Sequence, residues 1–275
     1  MRTRVWSWVD SLDDYPLVGQ TELTDVLIRS GELRSLFTVS FYGPAQLFKP
    51  LAAVLHEAME TGNATGIVAS LIGSVPLLNE QVCNPSTDEA SGLNTDARSA
   101  VICVDGDDAT GHDLSWWRRY LADGLSVSRV VGATWASVGI PCSGWKARPN
   151  WEFKGPFRTP NASKSVDEPE DGRPAAPLLL LTSRYDPVAP LGMARDVSKR
   201  HPGSGMLVQE TSGHSALFSG LSLCTTKTVA DYFDTGVVPK EEKSCEAGVD
   251  PWKGQLKPGS NSTVSLEYLQ KRWLR

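Results

Sequence analysis

Two residues in this sequence have the types and the spacing of an acid–base pair. Asp186 stands four positions beyond the apolar run Pro177-Leu-Leu-Leu-Leu-Thr182, and His214 lies in the loop Thr211-Ser-Gly-His-Ser after a second run, Met206-Leu-Val-Gln209. A carboxylate on one loop and an imidazole on the next, 28 positions later, suit an acid that fixes the tautomer of a histidine base. Each residue alone has an ordinary explanation: aspartate before proline starts turns, and histidine beside glycine sits in solvated loops. Their placement at two successive strand ends carries the chemical reading, because reactive groups in an open α/β sheet gather just past the carboxyl ends of its strands.

The elements that must position this pair are legible as a strand, a helix and a strand. Pro177–Thr182 is a short continuous apolar run, as in a central parallel strand buried on both faces. A helical pattern spans Leu191–Arg200, His201-Pro-Gly-Ser-Gly205 turns the chain, and Met206–Gln209 makes the second strand. Together they form a βαβ unit, expected with a right-handed crossover. Thr225–Phe233 predicts a closing helix that Gly236 ends. Upstream, residues 21–100 read as helical, with apolar residues recurring at three and four in segments such as Pro44–Met59. A shorter helix is expected from Asp113 to Leu121, capped by Asp113 or Ser115 and ended by Gly124. Six prolines and several acidic residues between Arg148 and Pro177 mark a surface excursion or linker that cannot bury enough apolar surface to order itself. The expected segments are 1–100, mostly helical; 101–147, joining; 148–176, linker; 177–252, an α/β core; and 253–275, a tail. The fold class is α/β, parallel strands with flanking helices, and the sheet is incomplete.

A chain of 275 residues, 40% hydrophobic and 21% charged, is globular material for one large domain or two small ones. The net charge is −5 with no long run of like charge, which argues against nucleic acid as a partner. The most apolar window, Ile67–Leu78, is interrupted by Gly73, Ser74 and Pro76 and falls short of the ~20 residues that cross a bilayer, so no membrane is expected. Asp10, Asp13 and Asp14 interrupt the N-terminal region before an apolar leader forms; taken literally, the chain stays in the cytosol. Sequons at Asn63, Asn161 and Asn261, with the 5 cysteines, lean instead towards a secreted parent and candidate glycosylation sites. No Cys-x-x-Cys pair suggests zinc or redox chemistry. The acidic loop Asp105–Asp113 invites calcium but lacks the later ligands and bidentate glutamate of an EF-hand, so neither metal nor cofactor is called for. Trp116, Trp117 and Trp145 suit a substrate cleft or plain packing, and packing is the commoner role.

Leu178-Leu-Leu-Leu-Thr-Ser-Arg-Tyr-Asp186-Pro-Val-Ala-Pro190, then Gly213-His214-Ser-Ala, then Asp231-Tyr-Phe-Asp-Thr-Gly-Val-Val-Pro239 and Cys245 resemble the C-terminal region of the tripeptidyl-aminopeptidase-like α/β-hydrolases, including their TAP-like C-terminal domain. A looser resemblance covers Ala100–Asp105 and Pro141-Cys-Ser-Gly-Trp145. The resemblance implies a serine exopeptidase that releases short peptides or residues from free N-termini, with Asp186 as triad acid and His214 as general base. Residues before 100 then correspond to the helical cap. It also implies disulfides Cys103–Cys142 and Cys224–Cys245; sequence alone leaves the connectivity open, and Cys83 is left over.

The family's nucleophile sits on a G-x-S-x-G elbow, and no such pentapeptide occurs in these residues. Gly124-Leu-Ser126 and Gly220-Leu-Ser222 lack the second glycine, and Ser215 adjoins His214 too closely for both side chains to aim at one atom. The oxyanion donors of this fold also lie upstream. No hydrolysis is expected of the chain alone. Two readings stay open: a hydrolase part that needs a missing N-terminal half to act on a peptide substrate, and a non-catalytic peptide-binding or interaction protein on a degenerate hydrolase scaffold.

Overall fold

The computed structural model describes residues 2–21, 24–72, 95–155, 157–168, 170–252 and 255–256. Cys83, Asn261, the end of the apolar window and the tail except Gln255–Leu256 lie outside the described residues. Contacts divide the chain into two compact units, Met1–Val39 with Leu51–Phe153, and Ser40–Pro50 with Lys154–Arg275.

The first unit is mostly helical. It contains α1 (Arg2–Ser11), most of α2 (Ser30–Ser40), the part of α3 (Pro44–Thr61) after Pro50, α4 (Thr65–Ile72), α5 (Thr95–Asp105), α6 (Leu114–Val127) and α7 (Gly132–Gly139). Its core gathers Val9 of α1, Leu12 just after it, Leu33 and Leu36 of α2, Ala58 of α3, and Ile67, Val68 and Leu71 of α4, all buried. These recur at three and four along each helix, the spacing that stacks side chains on one face. The all-helical expectation for 21–100 needs a correction: β1 (Leu17–Gln20) and β2 (Asp25–Ile28) pair antiparallel as a hairpin. The strands have four residues each and only one buried residue apiece, too little alternation to read as strands. Around Asp10, both Arg34 and Arg129 donate to the carboxylate, and both guanidinium groups lie over the Trp6 ring.

Asp113 caps α6, its Oδ1 accepting from the Trp116 N–H at 2.8 Å. Gly124 does not end that helix. It sits against Gly132, where an added Cβ would come within 2.1 Å of the Gly124 carbonyl oxygen. The two glycines let α6 and α7 approach at backbone distance, and this contact overrides Gly124's tendency to stop a helix. Cys103 of α5 is bonded to Cys142, in the 3-10 turn Ile140–Ser143 that follows α7.

The second unit is built on a parallel sheet. β3 (Leu179–Tyr185), α8 (Leu191–Arg200), β4 (Gly205–Ser212), α9 (Leu223–Thr235) and β5 (Lys243–Glu246) follow one another, with the strands in the order β3-β4-β5. Both pairings are parallel, with Leu181 opposite Leu207 and Gln209 opposite Cys245. The run expected to be the central strand is the edge strand of the described sheet, and its first three residues are only half-buried. The central position belongs to β4, in which Gly205–Gln209 are all buried. Ser222 caps α9, and Gly236 closes it in the left-handed conformation at φ 67°. Cys224 of α9 is bonded to Cys245 of β5. A short hairpin follows, β6 (Val249–Asp250) with β7 (Gln255–Leu256).

Charged residues tie the strands together. Arg184 grips Glu210 at 3.0 and 2.6 Å, and Ser244 of β5 donates to the same carboxylate at 2.5 Å. Those three hydrogen bonds, the two from Arg184 first, hold the Glu210 carboxyl down at about 2. Arg195 of α8 makes a two-point contact with Glu242, just before β5.

Candidate active site

Asp186 is delivered by the end of β3. The register of β3 against β4 shifts between Ser183 and Tyr185, an irregularity of the kind that re-aims a strand end. The side chain is 2% exposed and every hydrogen bond it makes is accepted. Oδ1 takes the N–H groups of Val188 and Ala189, both at 2.8 Å, in the turn that Pro187 initiates. Oδ2 takes the Ser215 N–H at 3.1 Å. The His214 Nδ1 lies 3.1 and 3.0 Å from the two oxygens. A buried carboxylate surrounded by donors is held in one orientation.

The loop after β4 delivers His214. Gly213 takes φ 120°, a conformation open to glycine, and its N–H donates to the Tyr185 carbonyl at 3.1 Å. Ser215 stands at φ 68°, a conformation that costs a non-glycine residue about 1 kcal/mol or more. Its strain is held by the Asp186 contact on one side and by Ser219, whose hydroxyl donates to the Ser215 carbonyl at 2.6 Å, on the other. A buried polar network supports the rest of the loop. Gln209, fully buried, donates to the Gly220 carbonyl and accepts from the Thr225 hydroxyl, both at 2.7 Å. Thr211 donates to the Ser219 carbonyl, and the Ser183 and Ser219 hydroxyls pair at 2.9 Å.

With Asp186 acting only as an acceptor, the His214 Nδ1 carries the proton, which leaves Nε2 as the basic nitrogen. The imidazole side chain is 30% exposed. The pair can therefore take a proton from a nucleophile at Nε2 and stabilise the resulting imidazolium through Asp186.

None of the three serines weighed as nucleophile has its hydroxyl hydrogen-bonded to the His214 ring. Ser126 lies exposed on α6 and donates to the Asp123 carbonyl. Ser222 is buried as the α9 cap, and Ser215 meets Asp186 through its backbone. In the acidic loop, Asp108 takes both Thr110 donors and faces Arg148, Asp113 caps α6, and His112 stacks on Trp116 at 3.7 Å. Among the described residues no group of three metal-ligating side chains gathers. Trp116 also packs on Trp117 and Tyr120, while the Trp145 Nε1 is buried without a partner among the described residues. Asn63 caps its own turn through the Thr65 N–H, and Asn161 is exposed.

Sequence reasoning missed one neighbour. The segment Ser40–Pro50, expected to belong with the helical cap, clusters with the sheet unit. Its Phe41 carbonyl accepts the His214 N–H at 2.7 Å, and the Tyr42 ring meets the imidazole edge-on with centroids 4.9 Å apart. The Tyr42-Gly-Pro44 turn is visible in the sequence, but nothing local ties it to a histidine so far along the chain.

The three parallel strands with their flanking helices, acid after β3 and histidine after β4, are part of an α/β-hydrolase fold. Residues 128–245 match the family model described as TAP-like protein. This match spans Asp186, His214 and three of the four bonded cysteines, and it supports the α/β-hydrolase relationship. No curated protein matches the chain.

Proposed function

We propose that this chain supplies the acid and the base of a serine exopeptidase of the tripeptidyl-aminopeptidase type, acting on peptides with a free N-terminus, whose nucleophile lies on a segment outside these residues. The observation that carries the reading is the buried Asp186 carboxylate holding the His214 Nδ1 at 3.0 Å, together with the match over residues 128–245. In the complete enzyme a serine attacks the scissile carbonyl and passes its proton to the His214 Nε2. Asp186 stabilises the imidazolium, His214 then protonates the leaving amine, and water hydrolyses the acyl-enzyme by the same relay. No cofactor takes part. The two disulfides support an oxidising compartment and thus an exported parent.

A fluorophosphonate probe, which labels activated serines, tests this on the native polypeptide from its source and on this chain alone. The native polypeptide is expected to label on a serine within G-x-S-x-G and to lose the label with His214→Ala, while this chain stays unlabelled. Labelling of the isolated chain at Ser126, Ser215 or Ser222 overturns the proposal, as does a labelled native enzyme indifferent to His214.

A further inference from the structure

The Asp186 contact fixes His214 from one side only. A histidine ring turns about its terminal torsion in a broad, roughly two-fold well, so one hydrogen-bonded edge leaves the opposite edge to be held by something else. Three observations place the Phe41–Pro44 corner there. The Phe41 carbonyl takes the His214 N–H at 2.7 Å, fixing the backbone from which the ring hangs. Gly213 gives the corner room: a Cβ on it would fall 2.9 Å from the Phe41 oxygen and 2.7 Å from the Pro44 Cγ. The Tyr42 ring then meets the imidazole at 66° and 4.9 Å, the edge-to-face arrangement that aromatic pairs favour.

The corner is itself anchored. Phe41 meets Phe48 edge-on at 6.2 Å, and Phe48 packs on Trp252 at 5.2 Å. Tyr42 itself is 48% exposed. An exposed ring adds little to a core, yet this one stands on the nitrogen heterocycle of the acid–base pair.

We propose that Phe41–Pro44 is a clamp on the base and that Tyr42 is a positioning residue, keeping the His214 imidazole in the orientation that presents Nδ1 to Asp186; this rests on the reading of His214 as the base. Tyr42 touches no reacting atom in this role. Its hydroxyl is dispensable and its ring is not.

The test follows the His214 Nδ1 proton by ¹⁵N-resolved NMR in the full chain, measuring its exchange with water and the ring tautomer. Tyr42→Ala is expected to speed Nδ1–H exchange about three- to tenfold, the range that the strength of an edge-to-face pair allows. Tyr42→Phe is expected to restore the wild-type rate. Tyr42→Leu, which keeps apolar bulk, serves where the alanine variant folds poorly and is expected to behave as it does. Exchange within twofold of wild type in Tyr42→Ala or Tyr42→Leu overturns the clamp, as does failure of Tyr42→Phe to restore it. Asp186→Asn separates the two proposals: if the Nδ1–H signal survives that change, the acid–base reading fails, whatever Tyr42 does.

Discussion

Replacing Asp186 by asparagine changes one atom of the site and leaves its shape intact. The amide oxygen can still accept from Val188 and Ala189, but the amide nitrogen then faces the Ser215 N–H and replaces the nearer of the two oxygens between which the His214 Nδ1 lies. Turning the amide over leaves two backbone donors facing a donor instead of one, which is worse. A hydrogen bond to a charged group contributes about 1.5–3 kcal/mol, and a buried donor left without an acceptor costs about 1–3 kcal/mol. The two terms overlap at Ser215, so the expected loss is about 2–4 kcal/mol. With a urea slope near 2 kcal/mol per molar, the unfolding midpoint falls by about 1–2 M. The assay is urea unfolding read at the His214 ring by NMR, so that the transition belongs to the unit that holds the site. The same spectra report the tautomer, which is expected to move its proton from Nδ1 to Nε2. A loss below about 1 kcal/mol with the Nδ1–H tautomer retained refutes the account of Asp186 as a carboxylate held by four donors.

Three further outcomes follow from the fold. Glu210, held at about 2 against an ordinary 4.5, stabilises the folded state above pH 4.5 and loses that contribution as the pH falls through 2. Because its side chain is 24% exposed, the contribution is on the order of 1–2 kcal/mol, and Glu210→Gln is expected to flatten the acid-unfolding profile between those two values. An identical profile in the variant would show that the Arg184 pair does nothing for stability. Reducing Cys224–Cys245, which closes a 21-residue separation, is expected to lower stability by about 3 kcal/mol, seen as an earlier denaturation midpoint with dithiothreitol; a midpoint that stays put removes the staple from the account. Gly132→Ala is expected to cost upwards of about 2 kcal/mol, because its methyl group enters the Gly124 backbone. Thermal melting near wild type would mean that α6 and α7 are free to separate.

What the sequence revealed was whatever is decided within a few residues. Asp113 before Leu114, Gly236 after Thr235, and the apolar runs on either side of Leu191–Arg200 each act through neighbours, and the helices and strands stand where those signals put them. Asp186 and His214 share that legibility, since each lies within two residues of the end of its own strand. The third strand, β5, is Lys-Ser-Cys-Glu with only Cys245 buried; it is a strand because β4 offers it an edge, not because of its residues. Likewise Gly124 reads as a stop until Gly132 is placed against it. The Phe41 corner was illegible for the same reason in stronger form, because its partner is another glycine-bearing loop far along the chain.

The corner's distance in sequence gives the site an uneven hold on His214. Asp186 and His214 are 28 positions apart, whereas Phe41 and His214 are separated by about 170. The entropy of closing a loop rises by about 0.6 kcal/mol for each doubling of its length. The two-and-a-half doublings between these separations make the Phe41 contact roughly 1.5 kcal/mol harder to close than the Asp186–His214 contact. When the chain folds, the aromatic corner is therefore the costlier of the two holds on the histidine to form, and the carboxylate contact the cheaper.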